Sequence, residues 1–401
     1  MTQPFRRLTF YLPGFDPIPP RRYRELYRRE AAEQARIAGY RIEVTGGLRQ
    51  KGRFGWRTQA LIGDRPALQE LQVLIWADLI QRESRAGIPG TYLALLRTAW
   101  TYLASGTLWR VARLRRGPTI AALYPVVVLL VQLAAAVAIA GLGAWALSAA
   151  GLPGWATIPP ALALIWAVLV GFRRLDHRIF AYYLMNDYAY TARLAGAYPP
   201  ALEDRIARFR DRLAGAMAED VDEVLVVGHS SGAYLGVSVL ADLLRAGLPP
   251  PGPGGSRPAL SLLTLGHVVP MASFLPRADR LRADLGFLAG RDELFWVDVT
   301  APGDACCFAL CDPVAVNGVA PPDPHQPLVI SAAFTQTLSP ERRRMMKYRW
   351  FRRHFQYLCA FDDPRNYDYF AITGGAQTLA QRFAGRAHSP GRITRAVGRR
   401  P

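Results

Sequence analysis

Apolar and polar positions alternate over most of this 401-residue chain, but not in its middle. From residue 118 to residue 172 there is no Asp, Glu, Lys or Arg. A membrane-spanning helix needs about 20 apolar residues, so this stretch has room for two. Residues 123–147 and 156–172 are the apolar runs, joined by "SAAGLPGW", a Gly/Pro turn. A soluble helix pair of this length would show a polar face, so the pattern predicts a transmembrane hairpin. Pro125 is expected in the first turn of its helix, where proline is tolerated.

On either side of the hairpin the period changes. "RLTFYLPGF" reads as a short strand, and residues 19–39 read as a charged helix with Leu26, Ile37 and several alanines on its apolar side. "YRIEVTGG" is strand-like, and "LQVLIWADLI" fits a strand or a helix. After the hairpin, "PALEDRIARFRDRLAGAMA" places Leu202, Ile206, Phe209, Leu213 and Met217 on one helical face. "EVLVVG" follows as an all-apolar run, the mark of a central parallel strand. A helix, "SGAYLGVSVLADLLRAG", and the strands "ALSLLTLGHVVP", "ELFWVDVT" and "PLVISAAF" complete the series. Strands alternating with helices predict an α/β fold with a mostly parallel sheet. The strand at residues 8–12 is expected to join the sheet of the strand at 224–227. The predicted order is an N-terminal α/β part (1–90), an interfacial or cap helix (91–117), the hairpin (118–172), a second α/β part (173–384) and a mobile basic tail (385–401). The alternative is two separate domains divided by the membrane.

Charge narrows the setting. Lys and Arg number 49 against 31 Asp and Glu, a formal net charge of +18, and only two of the cations are lysine. That balance suits an anionic partner. No zinc-finger spacing, basic heptad or RNA-binding aromatic motif is present, so a nucleic-acid partner is not expected. Arg110, Arg113, Arg115 and Arg116 precede the hairpin, and Arg173, Arg174 and Arg178 follow it. The positive-inside rule then puts both large flanks in the cytoplasm, with the hairpin in the inner membrane. The N-terminal apolar run is broken by Pro13 and Gly14 and is not expected to be a secretory signal. Cys306, Cys307, Cys311 and Cys359 lack a paired zinc-knuckle spacing and are expected as buried free thiols, so neither a metal nor a cofactor is anticipated.

The chemistry concentrates in "VLVVGHSSGAYLG". A strand, then Gly228-His229-Ser230-Ser231-Gly232, then a helix is the context of a nucleophile elbow. The serine must stand at a strained turn at the carboxyl end of a strand, and Gly228 and Gly232 leave room for it. On these residues the chain resembles the α/β-hydrolase superfamily. The resemblance implies a triad in the order serine, acid, histidine. Asp304, just beyond the strand at 294–300, is the expected acid, with Asp312 as the alternative. Asp298 lies inside that strand. His354 is the expected base; His388 lies in the tail, and His325 precedes the last strand. His229 is expected to pack beneath the elbow, and His267 to line the pocket. The resemblance also implies an oxyanion hole from the backbone N–H groups of Ser231 and Phe15, with Gly14 allowing the turn in "YLPGFDP" and Asp16 near the pocket mouth. The expected activity is a membrane-anchored serine hydrolase of the esterase or lipase kind, cleaving an ester or thioester of an amphipathic or lipid-like molecule. The alternative is a catalytically inactive membrane scaffold or binding protein of the same fold.

Overall fold

A computed structural model describes residues 3–48, 53–83, 87–252 and 255–398. Eight strands form one sheet: β1 (Phe5–Leu12), β2 (Arg41–Gly47), β3 (Phe54–Leu61), β4 (Pro66–Val73), β5 (Glu223–His229), β6 (Ala259–Leu265), β7 (Leu294–Thr300) and β8 (Leu328–Ser331). Their order is β2-β3-β4-β1-β5-β6-β7-β8. β1 pairs in parallel with β4 and β5, and β5 to β8 continue in parallel. Only β3 runs against its neighbours. β1 and β5 meet directly, with Leu8 opposite Val224 and Leu12 opposite Gly228. The two sides of the hairpin therefore build one mixed, mostly parallel α/β sheet. β5 is buried along its whole length, as its unbroken apolar run requires.

Helices cover both faces. Against one lie α9 (Pro200–Ala216), α10 (Ser231–Arg245) and α12 (Asp279–Ala289). The α9 stripe Leu202, Ile206, Phe209 and Leu213 is buried there. The other face receives α1 (Arg21–Ala38) and the C-terminal segment from Tyr357 to Phe383. The buried side of α1 is Tyr23, Tyr27, Ala31 and Gln34; Leu26 and Ile37, the expected apolar side, are only half-buried. The stripe turns because Tyr27 inserts between Trp56 and Phe370. At the amino ends of the central strands, buried Arg7 pairs with buried Glu223. Arg7 also donates to the carbonyls of Thr373 and Gly375, and Glu223 accepts from Ser261 Oγ and the Leu379 N–H. Those bonds satisfy a buried charge pair that would otherwise be costly, and they tie both halves of the chain to the C-terminal segment.

Several local expectations change. β3 has no counterpart in the predicted strands. "LQVLIWADLI" splits into the end of β4 and the helix α2 (Ala77–Glu83). Two helices follow, α3 (Ile88–Ala104) and α4 (Thr107–Leu114), and then the hairpin, α5 (Arg116–Ala149) and α6 (Gly154–Arg174). α5 starts at Arg116 rather than Leu123, so Pro125 lies inside the helix and not in its first turn. α5 and α6 are both long and apolar enough to cross a membrane. Their outer surface is Val131, Leu142, Trp145, Trp155, Leu162 and Trp166. α3 buries Ile88, Leu95 and Tyr102 and presents Leu96 and Trp100 outward, with Trp100 74% exposed. Residues 385–398, expected to be mobile, lie along the body: the Ser389 N–H donates to the Val329 carbonyl, Arg392 pairs with Asp312, and the Val397 N–H donates to the Val316 carbonyl. Residues 399–401 of that tail lie outside the described residues.

Candidate active site

Ser230 stands between the end of β5 and the start of α10, at φ 57° and ψ −121°. A non-glycine residue there is strained and persists only where its surroundings hold it. The Ser230 N–H donates to the Leu265 carbonyl at 2.9 Å, and the Ser230 carbonyl accepts from the Ala233 N–H at 3.1 Å. Three glycines make the turn possible. A Cβ on Gly228 would lie 2.6 Å from the Gly232 carbonyl oxygen, and one on Gly232 would lie 2.1 Å from that of Leu12. A Cβ on Gly14 would lie 2.9 Å from Ser230 Cβ and 3.3 Å from its Oγ.

The loop after β1 thus passes against the serine. Phe15, its next residue, is buried, with its ring against Trp76 and Tyr190 at 6.0 and 5.7 Å. Tyr183 donates its hydroxyl to the Phe15 carbonyl, which fixes the loop. The Phe15 N–H has no hydrogen-bond acceptor among the described residues. Ser231 is the first residue of α10, where a helix leaves its N–H groups unpaired. Both amides are thereby without an acceptor among the described residues. Asp16 does not reach the cavity; it closes the turn by accepting from the Ile18 N–H at 2.9 Å and from Tyr23 at 2.7 Å.

Asp304 follows β7 and His354 ends the short helix Trp350–His354. Their side chains meet, Nδ1 to Oδ2, at 2.7 Å, both buried. Asp304 also accepts from the Cys306 N–H at 2.9 Å and from the Tyr357 hydroxyl at 3.1 Å. Burial works against its charge, but His354, the Cys306 N–H and the Cys307 thiol hold it below the usual carboxylate range. His229 lies beneath the elbow, its ring 4.8 Å from that of His354. Its Nε2 donates to the His354 carbonyl at 2.9 Å. Burial pushes His229 down to about 3, so it stays neutral. Ser230 and His354 line one cavity but are not joined by a hydrogen bond among the described residues.

The remaining candidates are elsewhere. Asp312 accepts from the Val314 and Ala315 N–H groups and pairs with Arg392, which makes it a turn and tail anchor. Asp298 is buried under Thr264 and His267. His267, expected in the pocket, is fully buried and donates to the Cys311 carbonyl at 3.0 Å. His388 accepts from the Val329 N–H, and His325 faces Asp292 on the surface. The four cysteines form no disulfide. Asp304, Cys306 and His354 place three donor atoms within 4.8 Å of one another. Burial and the neighbouring Asp304 push the Cys306 thiol up, and two of the three donors, Asp304 Oδ2 and His354 Nδ1, are already hydrogen-bonded to each other.

The cavity has a volume of about 500 Å³ and is mostly apolar. Pro118, Ala121 and Tyr124 of α5 form part of its wall, so a membrane-length helix and the serine share one space. The base of α5 is fixed to the acid loop. A Cβ on Gly117 would lie 3.0 Å from the Ala305 carbonyl oxygen, and Arg115 donates to the Ala309 carbonyl at 2.8 Å. Two helices follow the hairpin, α7 (Asp176–Ile179) and α8 (Ala181–Ala192). Phe180, between them, packs its ring 4.5 Å from Phe351, and Tyr124 packs on Trp350 at 5.8 Å. α8 adds a residue that the motif order does not reveal. Asp187 faces the cavity, and burial raises it to about 7 against the opposing influence of His354.

No protein-family model matches the chain, and no curated protein or solved structure matches it. What the fold and site define is an α/β protein with two helices of membrane-spanning length and a strained serine beside a hydrogen-bonded Asp–His pair.

Proposed function

We propose that this protein is a membrane-anchored serine hydrolase of the α/β-hydrolase superfamily, acting on an ester or thioester of an amphipathic molecule. The observation that carries this is the convergence on one cavity of strained Ser230 and the hydrogen-bonded Asp304–His354 pair. Asp304 accepts a hydrogen bond from the Nδ1–H of His354, which fixes the tautomer and leaves Nε2 as the base. His354 removes the Ser230 hydroxyl proton as Oγ bonds to the acyl carbon. The negative oxygen so formed is held by the Ser231 and Phe15 N–H groups. The leaving group departs with the proton from His354, and water then releases the acid by the same steps in reverse roles.

The bilayer is the setting that supports an amphipathic substrate. α5 and α6 span the inner membrane with both flanks cytoplasmic, as the arginines at 110–116 and 173–178 favour. Tyr348, 82% exposed, stands at the cavity rim among Arg343, Arg344, Lys347 and Arg349. An aromatic among cations is the composition of a membrane-surface segment. An ester with an apolar tail fits a cavity walled by α5.

A fluorophosphonate probe tests the assignment. Wild-type protein is expected to be labelled at Ser230, and Ser230→Ala to be unlabelled. Labelling that persists in the variant overturns it. The unlinked Ser230 and His354 side chains favour a second reading, a membrane binding protein without turnover. Folded wild type that resists the probe supports that one.

A further inference from the structure

The cavity holds one carboxylate that the acid–base steps do not use. α8 carries Asp187 into the same wall as Ser230 and His354. Its surroundings are aromatic: Tyr183, Tyr188 and Tyr234 line the cavity with it, and each is close enough to feel its charge. The Tyr183 hydroxyl is committed elsewhere, to the Phe15 carbonyl. Among the described residues no hydrogen bond or ion pair reaches the Asp187 carboxylate. Arg178, Arg349 and Arg352 line the cavity too, but none of them forms an ion pair with Asp187.

Asp187 is half-buried, and a carboxylate that faces a mostly apolar cavity with no donor from the protein gains from a cation entering beside it. Tyrosine faces carry negative potential and favour the same visitor. A neutral apolar group would leave the carboxylate unanswered, and an anion would be drawn to the arginines of the lining rather than to the side of Asp187. We propose that Asp187 and its three tyrosines form a subsite for a cationic nitrogen carried by the amphipathic molecule that enters the cavity. That this molecule is a substrate rests on the hydrolase reading; the subsite itself rests on the cavity and does not require turnover.

The test is binding, so that it stands apart from catalysis. Octylammonium and 1-octanol are titrated calorimetrically into the full-length protein in non-ionic detergent, using wild type, Asp187→Asn and Asp187→Glu. Partition into micelles is common to all three proteins and cancels in the comparison between them. Wild type is expected to prefer octylammonium by roughly tenfold or more, the scale of one desolvated cation–aromatic contact. Asp187→Asn is expected to lose that preference and Asp187→Glu to keep part of it. Equal affinities in wild type, or an undiminished preference in Asp187→Asn, overturn the subsite. If Asp187→Asn does not fold, a fully unchanged preference in Asp187→Glu at every ionic strength from low to high overturns it, because a direct ion pair weakens with both displacement and salt. Failure of Ser230 to react with a fluorophosphonate would remove the hydrolase reading and leave this result standing.

Discussion

Asp304 and Asp187 both bear on His354, the first buried and the second half-buried in the cavity wall, yet their acidities move in opposite directions. Asp304 falls below the usual carboxylate range, whereas Asp187 rises to about 7. Burial pushes both upward, so burial is not the difference. Asp304 receives hydrogen bonds from His354, Tyr357 and the Cys306 N–H. Asp187 receives none among the described residues and has only the more distant influence of His354. The floor of the cavity replaces the water it excludes; the wall that carries Asp187 does not. A fully answered carboxylate is built to stay charged and fixed, as a triad acid must be. An unanswered one is poised for something that comes from outside.

The strongest way to break this contrast is to remove the charge from the answered side. Asp304→Asn is expected to fold and to lose roughly 10⁴-fold in hydrolysis, the scale seen when a triad acid becomes an amide. An activity loss below tenfold would mean that Asp304 only holds a loop. Next in size is the elbow that sets Ser230 above this floor. An alanine at Gly232 would put a methyl 2.1 Å from the Leu12 carbonyl oxygen, whereas one at Gly236 would meet Leu262 Cδ1 at 3.3 Å. Gly232→Ala is expected to cost about 3 kcal/mol in a denaturation midpoint, with Gly236→Ala costing clearly less. Equal losses would show that the elbow is not tightly enclosed.

The unanswered side is probed by pH. Asp187 has its folded value raised from the usual 3.8 to about 7. The stability linked to its neutral form is therefore complete below pH 3.8 and lost as pH rises through 7. Asp187→Asn is neutral at every pH. Its melting temperature is expected to match wild type near pH 4 and to exceed it by a few degrees above about pH 7. A constant difference between the two proteins across that window would mean that Asp187 is not the titrating group.

Much of the answered side is legible in the chain. Ser230 is local: the strand, the glycines and the helix that strain it are all within a few residues. Asp304 and His354 are legible through topology, because a parallel sheet brings the carboxyl ends of β5 and β7 to one edge. Asp187 is not legible, since nothing in "AYYLMNDYAYTA" says which face of α8 meets the cavity. That is decided by the hairpin before it. Arg7 reads as a surface residue in "FRRLTF", and its burial is explained by Glu223 and the carbonyls at 373, 375 and 377. β3 escapes notice because Arg57 and Gln59 break its apolar character, while Trp56, Thr58 and Ala60 face inward. The start of α5 escapes because its first turns are held by packing of Gly117 against Ala305, not by their own sequence.

The finest test divides the answered side itself. Tyr357 gives Asp304 one of its hydrogen bonds, and Tyr367 supports Tyr357 in turn by donating to its carbonyl at 2.7 Å. Tyr357→Phe removes one donor and leaves His354 and the Cys306 N–H in place. A single hydrogen bond to a charged group is worth about 1.5 kcal/mol, roughly tenfold in kcat/KM. Tyr367→Phe removes a bond of similar strength that never touches the carboxylate, so it is expected to lower the melting temperature without a comparable loss of rate. Equal rate losses in the two variants would mean that the tyrosines act through packing alone. A loss confined to Tyr357→Phe would mean that Asp304 depends on how many donors answer it, the same count that separates it from Asp187.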